Sequence, residues 1–101
     1  EIEMFNKEQQ DYLVQVLISV AESNDSRVED AEDDDEAQMY LNDAADCRSA
    51  AEKIAQNAAV EFVRDVIGAF DTSVREDIYY WIEEEDGRED ISDLLFAEDD
   101  E

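Results

Sequence analysis

The side chains that could do chemistry in this chain are almost all carboxylic acids. The 101 residues include 32 Asp and Glu, one cysteine and no histidine. Zinc sites and nucleophile–base pairs need histidine or several cysteines, so the composition excludes both kinds of site. Carboxylates alone can hydrolyse glycosides or hold magnesium, but no glycine-rich loop and no basic cluster is present to hold a phosphate. We therefore predict no enzymatic activity and no cofactor.

Calcium and thiol chemistry are also disfavoured. An EF-hand loop needs an oxygen ligand five residues before its central glycine, and the residue five before Gly87 is Ile82. Cys47 has no partner for an internal disulfide and lies in an Ala-rich stretch, a position typical of a small buried side chain. No metal site is predicted.

The charge balance is far from that of an ordinary domain. The net charge is -25 and the sequence pI is about 4.1. A folded chain of this mass exposes about 5,800 Å², which gives about one net negative charge per 230 Å². Such a surface is highly soluble and repels itself.

The same charge excludes direct binding to nucleic acid, because affinity for phosphate requires Lys and Arg. The basic residues are few and scattered, and we expect them to form local salt bridges: Lys7, Arg27, Arg48, Lys53, Arg64, Arg75 and Arg88.

Seventeen residues are predicted to contact a partner, and they form three groups. The first is the acidic run Glu29, Asp30, Glu32, Asp33, Asp34, Asp35 and Glu36; the second is Asp43 and Asp46; the third is Glu76, Asp77, Tyr79, Tyr80, Glu83, Glu84, Glu85 and Asp86. Acids three or four positions apart on a helix lie about 5–6 Å from each other, which approximates the spacing of neighbouring phosphates.

The aromatic run within the third group predicts an exposed anchor. Trp81 shares a helical stripe with Ile78 and is expected in the core. Consecutive aromatics cannot all face one side of a helix, so Tyr79 or Tyr80 should be partly exposed. An exposed tyrosine beside charge is typical of an interface hot spot.

Helices are the default for these elements, because the chain has no proline and two glycines. Asn6 and Gln9 have capping-box spacing, and apolar residues then recur at three and four, so we predict a helix from about Lys7 to Glu22. Residues 23–36 are expected to form a solvated loop or a helix N-terminus.

A second helical face begins near Asp34, includes Leu41 and continues to Phe70. We predict a break near Asn57, with a single long helix as the alternative. The later part of the chain should contain a helix from Val74 to about Glu84, capped by Ser73 with Glu76, ended by Gly87 and followed by a short helix over about 91–96. A strand over 78–82 is the alternative.

Together these elements predict an all-α fold: a compact bundle of four or five helices with acidic loops and an acidic C-terminal tail. We predict a single acidic helical domain over residues 1–101, with 1–5 and 97–101 frayed. Leu94, Leu95 and Phe96 have little sequence around them to cover them, so a homodimer stays open. No apolar run approaches the length of a membrane span and no signal peptide is evident, so a cytoplasmic, non-membrane protein is expected.

In its small size, helical content and extreme acidity the chain resembles viral and mobile-element proteins that mimic DNA to block restriction enzymes, CRISPR effectors or other DNA-binding proteins of the host. The resemblance covers the whole chain in composition and involves no shared motif. It implies an inhibitor that occupies the basic DNA-binding groove of a host protein or nuclease complex, such as a restriction or CRISPR defence complex, in the host cytoplasm.

Two other interpretations stay open. An acidic chaperone or assembly factor could shield a basic protein without imitating the geometry of DNA. Alternatively, the chain is an ordinary domain from a salt-loving organism, whose proteins are acidic and prefer Arg to Lys, as this chain does with five Arg and two Lys.

Overall fold

A computed structural model describes residues 3–96, which form five α-helices and one π-helical turn. The elements are α1 (Lys7–Val28), α2 (Asp34–Gln56), α3 (Val60–Gly68), α4 (Thr72–Tyr80), the π turn (Trp81–Glu85) and α5 (Glu89–Phe96). The predicted all-α bundle of four or five helices is confirmed. The acidic residues 98–101, predicted to be a frayed tail, lie outside the described residues.

The first helix begins where its capping box predicts. The Gln9 amide donates to the Asn6 side chain over 2.8 Å, and the Asn6 amide donates to Oε1 of Gln9 over 2.9 Å. The predicted end at Glu22 is wrong, because α1 continues to Val28. Asn24 faces the core at 2% exposure, and its side chain donates to the Val20 carbonyl. The helix therefore continues past its predicted end through residue types that favour caps and turns, because Asn24 is buried in the core.

The predicted break near Asn57 is confirmed. The residues that follow this break pair with the start of the chain. Residue Met4 forms an antiparallel bridge with Ala59, the Phe5 amide donates to Ala58 and the Val60 amide donates to Glu3. Phe5 is buried. The prediction that residues 1–5 fray is therefore wrong for 3–5, while 1 and 2 lie outside the described residues.

The start and end of α4 differ from prediction. Asp71, rather than Ser73, is the N-cap, and its carboxylate accepts the Val74 amide over 3.2 Å. The α-helix ends at Tyr80, so the predicted helical residues up to Glu84 belong to the π turn. Gly87 has φ +60, in the left-handed region, and ends this segment as predicted.

Helices α1 and α2 form an antiparallel hairpin. The Gln10 side chain donates to the carbonyls of Ile54 and Ala55 at one end, and Arg48 pairs with Asp25 further along. The core lies between this hairpin and the later helices; its largest fully buried apolar side chains are Leu13, Leu17, Ile54, Ile78, Ile82 and Ile91. The principal extents of the protein are 47 × 28 × 22 Å.

Several apolar side chains differ from expectation. Leu41, expected on the buried face of α2, is 45% exposed, because the buried face of this helix is formed by Ala44, Cys47, Ala50, Ala51 and Ile54. Leu95 is buried and Leu94 packs against the core, so the expected uncovered cluster at 94–96 is wrong. Trp81 is half-buried, and Ile82 takes the fully buried position. None of the described helices combines the length and apolarity that crossing a bilayer requires.

Candidate protein-binding surface

The first predicted acidic group surrounds the α1–α2 turn. Asp33 is the N-cap of α2, and its carboxylate accepts the Glu36 amide over 2.8 Å. The Glu36 carboxylate accepts the Glu32 amide over 3.0 Å and the Tyr40 hydroxyl over 3.1 Å. Negative charge in the first turn of a helix is favoured by the helix dipole. Two carboxylates of this group are therefore fixed in position by uncharged donors.

The third predicted group shows the same arrangement. The Tyr80 hydroxyl donates to Glu85 over 3.0 Å, the Ser92 hydroxyl donates to Glu83, and the Tyr12 hydroxyl donates to Asp86. The hydrogen bond to Glu85 raises the pKa of Tyr80 above its usual value, so this hydroxyl stays protonated and keeps donating. Three carboxylates of the group are thus held without loss of charge.

The second group meets the start of α4. Burial, and then the charges of Asp71, Asp46 and Asp77, raise the pKa of Asp43 above its usual value. These acids of α2 and α4 therefore lie close enough to repel one another. Asp71 was not among the predicted residues; its place before Thr72 as an N-cap is the signal that could have found it.

Salt bridges neutralise few of the acidic side chains predicted to contact a partner. Among residues 3–96, the salt bridges involve one of them, Asp77, whose carboxylate lies 3.3 Å from Arg27. The other described bridges use acids outside the three groups: Asp11, Asp25, Glu8 and Asp90. The expectation of local salt bridges is confirmed for Lys7 with Asp11 and for Arg88 with Asp90, but Arg27 and Arg48 pair with acids on other elements.

The three groups are distributed along the protein, and the second adjoins the third where Asp43 lies near Asp77. Segment α4 and the π turn run antiparallel to α1, since Asp77 meets Arg27 and Asp86 meets Tyr12. The two contacts are fifteen residues apart on α1, which is roughly 22 Å along its axis. The α1–α2 turn, which holds the first group, lies beyond Arg27, so the third group extends from near the first group, at Asp77, toward the other end of α1, at Asp86.

Both predicted tyrosines are exposed. Tyr79 is 42% and Tyr80 is 50% accessible, which confirms the expectation of at least one exposed ring. Tyr79 meets Phe96 edge to face, with 5.2 Å between ring centroids and 85° between planes. The charge of Glu83 raises the pKa of Tyr79 above its usual value. The pair of rings therefore forms a fixed apolar feature beside carboxylates.

A clasp that sequence analysis did not predict holds the third group against α1. Arg88 donates two 2.8 Å hydrogen bonds to Glu8 and two 3.2 Å hydrogen bonds to Asp90. Its guanidinium lies 4.7 Å from the centroid of the Tyr12 ring. Its hydrogen bond is the main reason that the pKa of Asp90 falls to about 2. No local pattern signals a contact across 80 residues.

Comparison with protein-family models, curated proteins and solved structures finds no match.

The rest of the described chain offers little reactive chemistry. Within residues 3–96, no three His, Cys, Asp or Glu side chains are arranged to hold a metal ion. Cys47 is fully buried, as predicted, and burial together with the charges of Asp43 and Asp46 raises its pKa to about 12. A thiol in this state is protonated and unreactive at neutral pH. The exposed carboxylates and the tyrosines beside them are the remaining functional feature.

Proposed function

We propose that this protein is a DNA mimic, an inhibitor that occupies the basic DNA-binding groove of a nucleic-acid-binding protein such as a restriction or CRISPR defence complex. The observation that carries the proposal is the way in which the carboxylates are held. Hydroxyl and amide donors fix Asp33, Glu36, Glu83, Glu85 and Asp86, and none of these five is paired with a described Lys or Arg.

Uncharged donors matter because a mimic needs fixed charges that remain uncancelled. An ion pair would fix a carboxylate but remove its field, whereas a free carboxylate keeps its charge but samples many rotamers. A tyrosine hydroxyl or backbone amide orders the carboxylate and leaves its full charge available to a partner. A factor that merely shields basic proteins has no need of this order. This contrast favours the mimic over the chaperone interpretation.

The dimensions support the same proposal. The 47 Å length equals the rise of about 14 base pairs, a segment that carries about 28 phosphate charges. The full-chain charge of -25 includes five acids outside the described residues (at positions 1, 98, 99, 100 and 101), so residues 3–96 carry -20. The linear charge density is therefore of the same order as that of duplex DNA.

Displacement by DNA tests the proposal directly. The immobilised protein is exposed to a cell lysate at 50 mM salt, and the captured proteins are then eluted with duplex DNA or with an equal charge of polyglutamate. A mimic predicts that duplex DNA elutes DNA-binding proteins that polyglutamate leaves bound, and that affinity falls steeply between 50 and 500 mM salt. Elution by both polymers alike would indicate a shielding factor, and a flat salt dependence would refute an electrostatic mechanism.

Two matched variants separate charge from geometry once a target is captured. The charge variant carries Asp33→Asn, Asp34→Asn, Asp35→Asn and Glu36→Gln. Its helix α2 keeps an N-cap, because Asn is as good an N-cap as Asp at position 33. The geometry variant carries Tyr40→Phe and Tyr80→Phe and keeps every charge. The charge variant should reduce the salt dependence of binding.

The geometry variant should weaken binding by about tenfold at unchanged salt dependence, since Glu36 loses one of its two donors and Glu85 loses the tyrosine hydroxyl that orders it. Circular dichroism checks that both variants fold. Unaltered binding by a folded geometry variant would show that carboxylate order is irrelevant, which would contradict mimicry and favour shielding.

A further inference from the structure

The side of the α1–α2 hairpin that faces away from α4 carries an open apolar groove. The groove has a volume of about 340 Å³ and is lined by Val14, Ile18, Arg48, Ala51, Glu52 and Ala55. At 100° per residue, Val14 and Ile18 lie on the opposite side of α1 from Tyr12 and Arg27, which contact the π turn and α4. The groove and the acidic groups of the later helices therefore occupy different faces.

Small side chains create this groove. Ala51 and Ala55 are one helical turn apart on α2 and leave space that larger residues would fill. Opposite them, Val14 and Ile18 are only partly buried although both are apolar. Accessible apolar side chains that lie together on a chain of such high charge offer a contact for the apolar groups of a partner.

The charges around the groove indicate what kind of partner fits. Arg48, the lining cation, is already neutralised by Asp25 at 2.6 Å. Glu52 lines the groove and is exposed, and helical spacing sets the exposed Glu22 on the same side of α1, four residues after Ile18. The surface thus combines an apolar floor with an acidic rim.

This combination excludes some occupants on electrostatic grounds. A second copy would bring the same acidic rim, and another net charge of -25, against the first. An uncharged or acidic helix would leave the rim unmatched. A helix with an apolar stripe and Lys or Arg on both flanks can pack its stripe on the apolar floor while its cations meet the acidic rim.

We propose that the groove between α1 and α2 binds a basic amphipathic helix of a partner protein. The apolar stripe of that helix lies on Val14, Ile18 and Ala55, and its basic flanks meet Glu22 and Glu52. This contact goes beyond the proposed DNA mimicry, because it uses a different face and recognises a helix by its apolar pattern as well as its charge.

A pair of defined peptides tests the proposal. One is an 18-residue Leu/Lys peptide with leucine at i, i+3, i+4 and i+7; the other has the same composition with the leucines spread around the helix. Fluorescence anisotropy at 150 mM salt measures both affinities. The patterned peptide should bind at least tenfold more tightly than its isomer. Equal binding of the two would overturn the proposal, since charge alone would then explain the affinity.

Variants locate the contact. The double variant Val14→Gln, Ile18→Gln should lose the preference for the patterned peptide, whereas Met39→Gln, which replaces an apolar residue of 48% exposure outside the groove, should keep it. Ala55→Gln places a larger side chain in the groove at an exposed helical position, so this variant should also lose the preference for the patterned peptide. It provides the test if the double variant fails to fold. An unchanged preference in folded Ala55→Gln would refute the site.

Two further outcomes are informative about the occupant. Sedimentation that shows a dimer broken by Ala55→Gln would make a second copy the occupant and would overturn the basic-helix proposal. Because neither peptide assay contains DNA or a captured target, a failure here leaves the displacement test of DNA mimicry unaffected, and the converse also holds.

Discussion

The Arg88 clasp should contribute more to stability than any surface ion pair of this protein. Replacing Arg88 by Gln removes the paired hydrogen bonds to Glu8, those to Asp90 and the contact with the Tyr12 ring. The Arg88 side chain is 24% exposed, against 67% for Glu8 and 49% for Asp90. Solvent therefore screens the charge of the guanidinium less than it screens the charges of the two carboxylates.

The expected magnitude follows from these contacts. Exposed pairs contribute about 0.2–1 kcal/mol each, with paired hydrogen bonds at the upper end, and a cation over an aromatic ring adds about 0.5–1 kcal/mol. We expect Arg88→Gln to cost about 2 kcal/mol. Lys7→Gln is the matched control, since it removes one positive charge from the same end of α1 but breaks a bridge to Asp11 whose side chains are 81% and 60% exposed. A helical pair of that kind contributes about 0.3 kcal/mol.

Thermal denaturation followed by circular dichroism at pH 7 and 150 mM salt measures the difference. For a domain of this size 1 kcal/mol corresponds to about 4–8 °C, so Arg88→Gln should melt about 7–14 °C lower than Lys7→Gln. Arg88→Lys, which keeps the charge but not the paired geometry, should fall between them. Equal melting temperatures for Arg88→Gln and Lys7→Gln would show that net charge, not the clasp, determines the effect.

Acid titration provides a second readout of the same contact. The pKa of Asp90 is lowered to about 2 in the folded protein, so its contribution to stability is present above the ordinary Asp pKa near 4 and is lost as the pH falls from about 4 to 2. The melting difference between Arg88→Gln and the unaltered chain should therefore shrink over that interval. A constant difference from pH 7 to pH 2 would mean that Asp90 takes no part in the clasp.

Three further predictions concern single positions. Asp43→Asn should raise Tm at pH 7, because burial and neighbouring acids raise the pKa of Asp43 and so disfavour its charged form. The gain in Tm should vanish at low pH, where the carboxyl of Asp43 is protonated. The control Glu61→Gln, on the exposed surface of α3, should raise Tm by less. Cys47 should resist a thiol reagent at pH 8 until urea unfolds the protein, and rapid labelling of the native state would contradict its burial. In urea denaturation, Gly87→Ala should cost about 1 kcal/mol because φ is +60 there. Gly68→Ala, at the last residue of α3 with open space around it, should instead stabilise the protein by up to about 1 kcal/mol, and equal effects of the two changes would refute the conformational argument.

Local sequence signals determined most of the helical structure. The Asn6–Gln9 capping box, the break at Asn57 and the glycine at 87 each act within a few residues, so their effects could be predicted without knowledge of the fold. Exclusion of histidine-based and disulfide chemistry followed from composition alone. The extreme negative charge likewise needed no coordinates.

The tertiary structure decided the features that depend on contacts between distant residues. Burial of Asn24 carried α1 past its predicted end, and pairing with the α2–α3 connection ordered residues 3–5. The hydroxyls of Tyr12 and Ser92 reach acids that are distant in sequence, and Arg88 reaches Glu8 across 80 residues. A sequence states how many carboxylates a chain has, but only packing determines which of them are held in place and which face they occupy, because those depend on side chains brought together by the core.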